Sequence, residues 1–165
     1  MQARLFSYAW TEGGIKMSQD AFLMYRLASQ GYCCSQILIL MDLEKRGIEN
    51  LELVKSMAGL CIGTGGSGRT CGIVTGGACL MASYAGKGEA GDHNDPNLSK
   101  MILEYMEWFE EENGSMDCGD IVGVDALEDI RSNMVYPVKC GNIMSTSYRK
   151  LKEILEKYEY IGGDE

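Results

Sequence analysis

The chain has one histidine in 165 residues, no apolar run of membrane-spanning length, and a deficit of positive charge. Each shortage excludes something. His93 lies in a polar stretch, AGKGEAGDHNDP, beside Asp92, Asn94 and Asp95. It reads as a solvated loop residue. With no second histidine, the usual His-activated nucleophile has no base, which argues against a cysteine hydrolase. The 15 Lys and Arg are outnumbered by 24 Asp and Glu, for a net charge of −9. Such a surface repels nucleic acid and anionic membranes, so neither is an expected partner. A transmembrane helix needs about 20 apolar residues in succession, and none is found. The N-terminus, MQARLFSYAWTEGG, lacks the apolar core of a signal peptide, so the expected location is the cytoplasm. No convincing run of strands and no internal repeat are visible.

What is present is cysteine, seven in all. A chain of this length can bury about 70% of its unfolded surface, so its core does not depend on cross-links. In a reducing compartment, grouped cysteines point to metal or catalysis more than to structural bridges.

The pattern of apolar residues predicts helices throughout. Ser18 is placed to cap a first helix to about Gln30, with Gly31 as its stop. A second runs from Cys34–Ser35 to Gly47, and Asn50 caps a third to about Ala58. After a glycine-rich loop, GLCIGTGGSGRTCG, a fourth spans 71–84. Its small residues Gly72, Gly76, Gly77, Ala78 and Ala82 make sense where another backbone or a cofactor comes close. Asp95–Pro96 is read as starting a fifth helix that frays at Glu110–Glu112 before Gly114. Two short helices are expected at 118–122 and 125–134, and a last one from about Cys140 to Tyr158.

The expected fold class is therefore all-α: a compact bundle of about five to seven helices with a glycine-rich loop. Residues 17–165 form one cysteine-rich domain. Residues 1–16 form an arm, in which Phe6, Tyr8 and Trp10 alternate with small residues before Gly13–Gly14. It is either a poorly ordered terminus, vector-derived or ahead of a start at Met17, or a segment that packs on a second copy in a homodimer.

Cys34, Cys71, Cys118 and Cys140 each fall where a helix is expected to begin. There the unpaired N–H groups and helix dipole favour the thiolate, the form that binds metals and attacks disulfides. Gathered together, the four would make a metal or redox centre. Their spacings match no compact ligand motif such as CxxC, and small buried cysteines are also common in cores. Cys33 adjoins Cys34, so the two cannot easily point the same way. Cys79, two turns along the fourth helix, reads as core. Cys61 could join a cluster or a disulfide. Arg69, two residues from Cys71, could stabilise its thiolate.

Residues 63–70, GTGGSGRT, nearly spell a phosphate-binding loop, with Arg69 where Lys belongs. That loop works between a strand and a helix, and here a helix precedes it. Its backbone N–H groups, at Gly65, Gly66, Gly68 and Gly72, are as well suited to cluster sulfurs or a small anion.

The segments GYCCSQ (31–36), GRTCGIVTGG (68–77), NGSMDC (113–118) and the late Cys140 occur in an order that resembles the family of redox-active proteins named for the pattern C-GCAxxG-C-C. The resemblance covers about residues 18–158. It implies a small helical redox protein of anaerobic bacteria, related to the iron–sulfur domain of split-Soret cytochromes. On the matching positions the functional cysteines would be Cys34, Cys71, Cys118 and Cys140. The central motif departs from the pattern, reading CGIVTG with Ile73 bulkier than the usual Ala, and Cys33, Cys61 and Cys79 are additional.

Three functional readings follow. The first is an iron–sulfur protein held by those four thiolates, with Cys61 as an accessory ligand, serving electron transfer or cluster handling with a redox protein partner as an oxidoreductase component. The second has no metal cofactor and uses Cys71 as nucleophile with Cys34 or another thiol resolving. The third is a helical interaction module whose cysteines are only core.

Overall fold

The computed structural model describes residues 18–93, 95–133 and 136–162. Their eight α-helices are α1 (Gln19–Ser29), α2 (Cys34–Arg46), α3 (Leu51–Met57), α4 (Gly72–Ala85), α5 (Leu98–Asn113), α6 (Cys118–Val122), α7 (Val124–Asn133) and α8 (Val138–Lys157). A 3-10 turn, Ala58–Leu60, follows α3. Among the described residues there is no strand, only an isolated antiparallel bridge between Thr70 and Asp117. The all-α expectation holds. The eight helices correspond to the segments read one by one from the sequence, one more than the five to seven expected for the bundle; α3 and α6, of seven and five residues, are the shortest. None of the helices described is long and apolar enough to cross a membrane. The proposed arm, with Phe6, Tyr8 and Trp10, lies outside the described residues.

Local chemistry sets the helix ends. The Ser18 hydroxyl accepts from the Ala21 N–H at 3.1 Å, and the Asn50 side chain accepts from Leu53 N–H at 3.0 Å. Each satisfies a donor that the helix leaves unpaired. Gly47 and Gly114 close α2 and α5 in the left-handed conformation. Three expected boundaries shift. The Asp95 carboxylate accepts from the Asn97 N–H at 2.8 Å, forming a turn of its own that delays α5 to Leu98. Helix α5 does not fray at its glutamates, because fully buried Phe109 anchors that turn and its carbonyl accepts from the Asn113 side chain at 2.9 Å. Pro137 caps α8 two residues before the expected start, so Cys140 is its third residue.

Helix α4 is the centre of the molecule, packed against α2, α5 and α8. Its glycines explain how. A Cβ on Gly76 would stand 3.0 Å from the Ser35 Cα, and one on Gly77 would stand 2.5 Å from the Tyr105 ring. The small residues thus admit the α2 backbone on one side and a fully buried tyrosine on the other. The Tyr105 hydroxyl donates to the Ile73 carbonyl at 3.1 Å, fixing α5 to the start of α4. Leu38, Met41, Met81, Met101 and Leu151 fill the space between these helices without solvent exposure.

Candidate metal and redox centre

The four cysteines singled out in the sequence come together. Cys34 is the first residue of α2, Cys71 caps α4, Cys118 opens α6, and Cys140 stands in the first turn of α8. All four are buried and line one small cavity of about 20 Å³. Its remaining wall is Ile62, Ile73, Ile121, Val122, Ile130, Ile143 and the ring of Tyr136. The Tyr136 hydroxyl is buried with no hydrogen-bond partner among the described residues. It is an unsatisfied buried donor whose electrostatic neighbours include the sulfurs of Cys34, Cys140 and Cys118.

Two of the cysteines are set by one structural element. The Cys71 N–H donates to the Met116 carbonyl and the Cys118 N–H to the Arg69 carbonyl, both at 2.8 Å. These bonds flank the Thr70–Asp117 bridge. The glycine-rich loop and the segment before α6 are thereby pinned together, and the Cys118 thiol hydrogen-bonds to Cys71.

For Cys34, Cys118 and Cys140 the expectation of easily ionised thiols is corrected, at Cys34 and Cys140 chiefly by burial. Desolvation pushes the Cys34 and Cys140 thiols up to about 11, from an ordinary 9.0. The hydrogen bond to Cys71, with burial and the neighbouring sulfur, pushes Cys118 up further. Backbone N–H groups of Ile62 and Ser35 do favour the Cys34 thiolate, as Arg131 favours that of Cys118 and Lys139 that of Cys140. They are outweighed in an apolar cavity where each thiolate would face other sulfurs.

A family model described as "Putative redox-active protein (C_GCAxxG_C_C)" matches residues 32–154, well over half of the chain. The chain belongs to the C_GCAxxG_C_C family. No curated protein and no solved structure matches it. The four cysteines of this C_GCAxxG_C_C protein all lie within the matched span.

A metal centre is tested by the donors and by the space. Four thiols around an apolar cavity, with an orphaned hydroxyl, are the donor chemistry of an iron–sulfur or soft-metal site. As placed, no group of three or more His, Cys, Asp or Glu among the described residues has the geometry to hold a metal ion. The cavity is about the size of one water, so a cluster would require its walls to part. Five-residue α6 forms part of that wall and is its shortest helix.

The glycines of the loop are used differently. Gly72 abuts the centre: a Cβ there would stand 2.6 Å from the Cys34 sulfur and 2.8 Å from the Leu60 carbonyl oxygen. Gly65, Gly66 and Gly68 do not line the cavity. All three have positive φ and shape the loop. The Gly66 carbonyl accepts from the Arg131 Nε at 2.8 Å and the Gly68 carbonyl from the Gly119 N–H at 2.8 Å, which ties the loop to α6 and α7. Arg69 is exposed; Arg131 is the guanidinium that favours a cavity thiolate.

The other cysteines separate from the four. Cys33 and Cys61 form a disulfide, with Cα atoms 5.9 Å apart. Cys61 is thus not free to serve as an accessory ligand in this state. Cys79 is a half-buried free thiol packed against the core, and His93 is exposed. Sequence reasoning missed Tyr136 and Ile62. The only sign of Tyr136 was its place before Pro137, which favours extended backbone leading into the Cys140 helix. Nothing in the sequence marked Ile62, which holds a positive φ of 54° beside the centre.

Proposed function

We propose that this C_GCAxxG_C_C protein is a redox carrier in which Cys34, Cys71, Cys118 and Cys140 hold an iron–sulfur cluster. The observation that carries the reading is the convergence of four cysteines, each at a helix start, on one cavity whose other walls are apolar. Four thiolates complete the ligand set of the common clusters, and a bound cluster supplies one-electron transfer. A cation also resolves the electrostatics. Thiols held protonated by burial and mutual repulsion lose their protons readily only to a metal.

The chain's own residues set the environment. The N–H groups of Ile62 and Ser35 donate toward the Cys34 sulfur and would withdraw electron density from that ligand. Ile73, Ile121, Ile130 and Ile143 exclude water, and Tyr136 offers a hydrogen bond. The physiological role is electron transfer or cluster handling with a redox protein partner in the cytoplasm. The test is iron and acid-labile sulfide analysis with a visible spectrum of anaerobically purified protein. Stoichiometric iron and sulfide with charge-transfer bands support the reading. Colourless, iron-free protein that also resists cluster reconstitution overturns it.

One observation favours a second reading, a metal-free thiol–disulfide protein. The hydrogen bond from Cys118 to Cys71 makes Cys118, and not Cys34, the natural resolving partner for Cys71. That reading predicts a reversible Cys71–Cys118 disulfide in iron-free protein.

A further inference from the structure

Cys33 and Cys61 stand outside the four-cysteine cavity, and their surroundings are built for two oxidation states. Fully buried Ser35 lies against both sulfurs, its Oγ 3.3 Å from the Cys33 Sγ and 3.4 Å from the Cys61 Sγ. Its hydroxyl proton is donated to the Met57 carbonyl at 2.8 Å. That leaves two oxygen lone pairs, which in the disulfide meet no donor, because a disulfide sulfur carries no hydrogen. When the pair is reduced, both thiols can donate to Ser35, and the Met57 carbonyl lies 3.8 Å from the Cys61 sulfur as a further acceptor. A hydrogen-bond site that is satisfied only in the dithiol favours reduction.

Access is unequal. Cys33 is 3% exposed, whereas Cys61 is only half-buried at the end of the 3-10 turn. We propose that Cys33–Cys61 is a second redox site, a disulfide that exchanges with a dithiol protein partner through Cys61. A partner thiolate attacks the Cys61 sulfur. The partner–Cys61 bond forms as the Cys33–Cys61 bond breaks, and Cys33 leaves and takes up a proton. The partner's second thiolate then attacks the partner's own sulfur in the mixed disulfide, and Cys61 leaves and is protonated. Two electrons and two protons enter this chain, and the partner ends as a disulfide.

The couple is also wired to the larger centre. Cys33 precedes Cys34, Cys61 precedes Ile62, and the Ile62 N–H bonds to the Cys34 sulfur. The disulfide is the covalent tie between the loop that carries Ile62 and the start of α2. The exchange site rests on Cys33, Cys61 and Ser35 alone and does not depend on a cluster being bound.

The test equilibrates the full chain in oxidised and reduced dithiothreitol mixtures, quenches with acid, alkylates, and reads each cysteine by mass spectrometry. The pair should titrate as one two-electron couple. Ser35→Ala should make the disulfide about tenfold harder to reduce, a shift of about 30 mV. A thioredoxin-type dithiol protein with its second thiol replaced should be trapped as a mixed disulfide on Cys61. A pair that never forms, or that stays oxidised across the whole range, overturns the proposal. So does a Ser35→Ala variant that titrates like the wild type, or a trapped adduct on Cys33.

Discussion

Cys71 and Cys118 are neighbours because their backbones exchange hydrogen bonds with the residues beside each other: Cys71 N–H to the Met116 carbonyl and Cys118 N–H to the Arg69 carbonyl. One antiparallel step, Thr70 to Asp117, fixes two of four cavity cysteines and joins the glycine-rich loop to α6. The pairing gives Cys118 a sulfur acceptor before any metal arrives, and it explains why its thiol is pushed up further than those of Cys34 and Cys140.

Gly72 should tolerate no side chain. A Cβ there meets the Cys34 sulfur at 2.6 Å and the Leu60 carbonyl at 2.8 Å. Gly72→Ala should displace Cys34 from the cavity and cost about 1–3 kcal/mol of stability. The expected result is helical circular dichroism close to wild type with iron binding reduced severalfold. Unchanged iron binding would remove Gly72 and Cys34 from the account.

The metal-free protein should react slowly with alkylating agents at Cys34 and Cys140. Their thiols are raised to about 11, so near neutral pH they are almost wholly protonated. Rates followed by mass spectrometry should climb only as pH approaches that value. The linkage has a definite sign. A thiol with a raised folded value stabilises the fold fully below its unfolded value near 9.0. That contribution is lost as pH rises through about 11. Fast alkylation of Cys34 at pH 7 would contradict the burial argument and favour a reactive nucleophile.

The α4–α5 contact should be intolerant of even one methyl group. At Gly77 a Cβ falls 2.5 Å from the Tyr105 ring. That ring cannot retreat: it is fully buried, bonded to the Ile73 carbonyl, and stacked against Trp108 with centroids 6.0 Å apart. Gly77→Ala should therefore destabilise by about 1–3 kcal/mol. Thermal unfolding is the measurement, and Ser99→Ala on the exposed side of α5 is a control expected to stay within about 0.5 kcal/mol.

Much of the helix plan was legible because its signals are local. Ser18, Asn50 and Gly47 act within a turn of themselves, and their positions in the sequence placed the starts of α1 and α3 and the end of α2 closely. The four helix-start cysteines could be named for the same reason. Their convergence could not, because it depends on α4 accepting α2 at Gly76 and on the bridge between Thr70 and Asp117. Thiol ionisation was misjudged on similar grounds. The helix N-terminus is a local term, whereas burial and the neighbouring sulfurs are tertiary and larger. The Cys33–Cys61 pair joins residues 28 apart in sequence, and only the folded loop brings them together.

The central claim is that Cys34, Cys71, Cys118 and Cys140 act as one metal-binding set. Iron stoichiometry in five anaerobically prepared single variants tests it most directly: Cys→Ser at each of the four positions, and Cys79→Ser as a half-buried control. The account predicts that each of the four loses most of its iron while Cys79→Ser keeps it. Full iron in any of the four, or loss in Cys79→Ser equal to theirs, would contradict it.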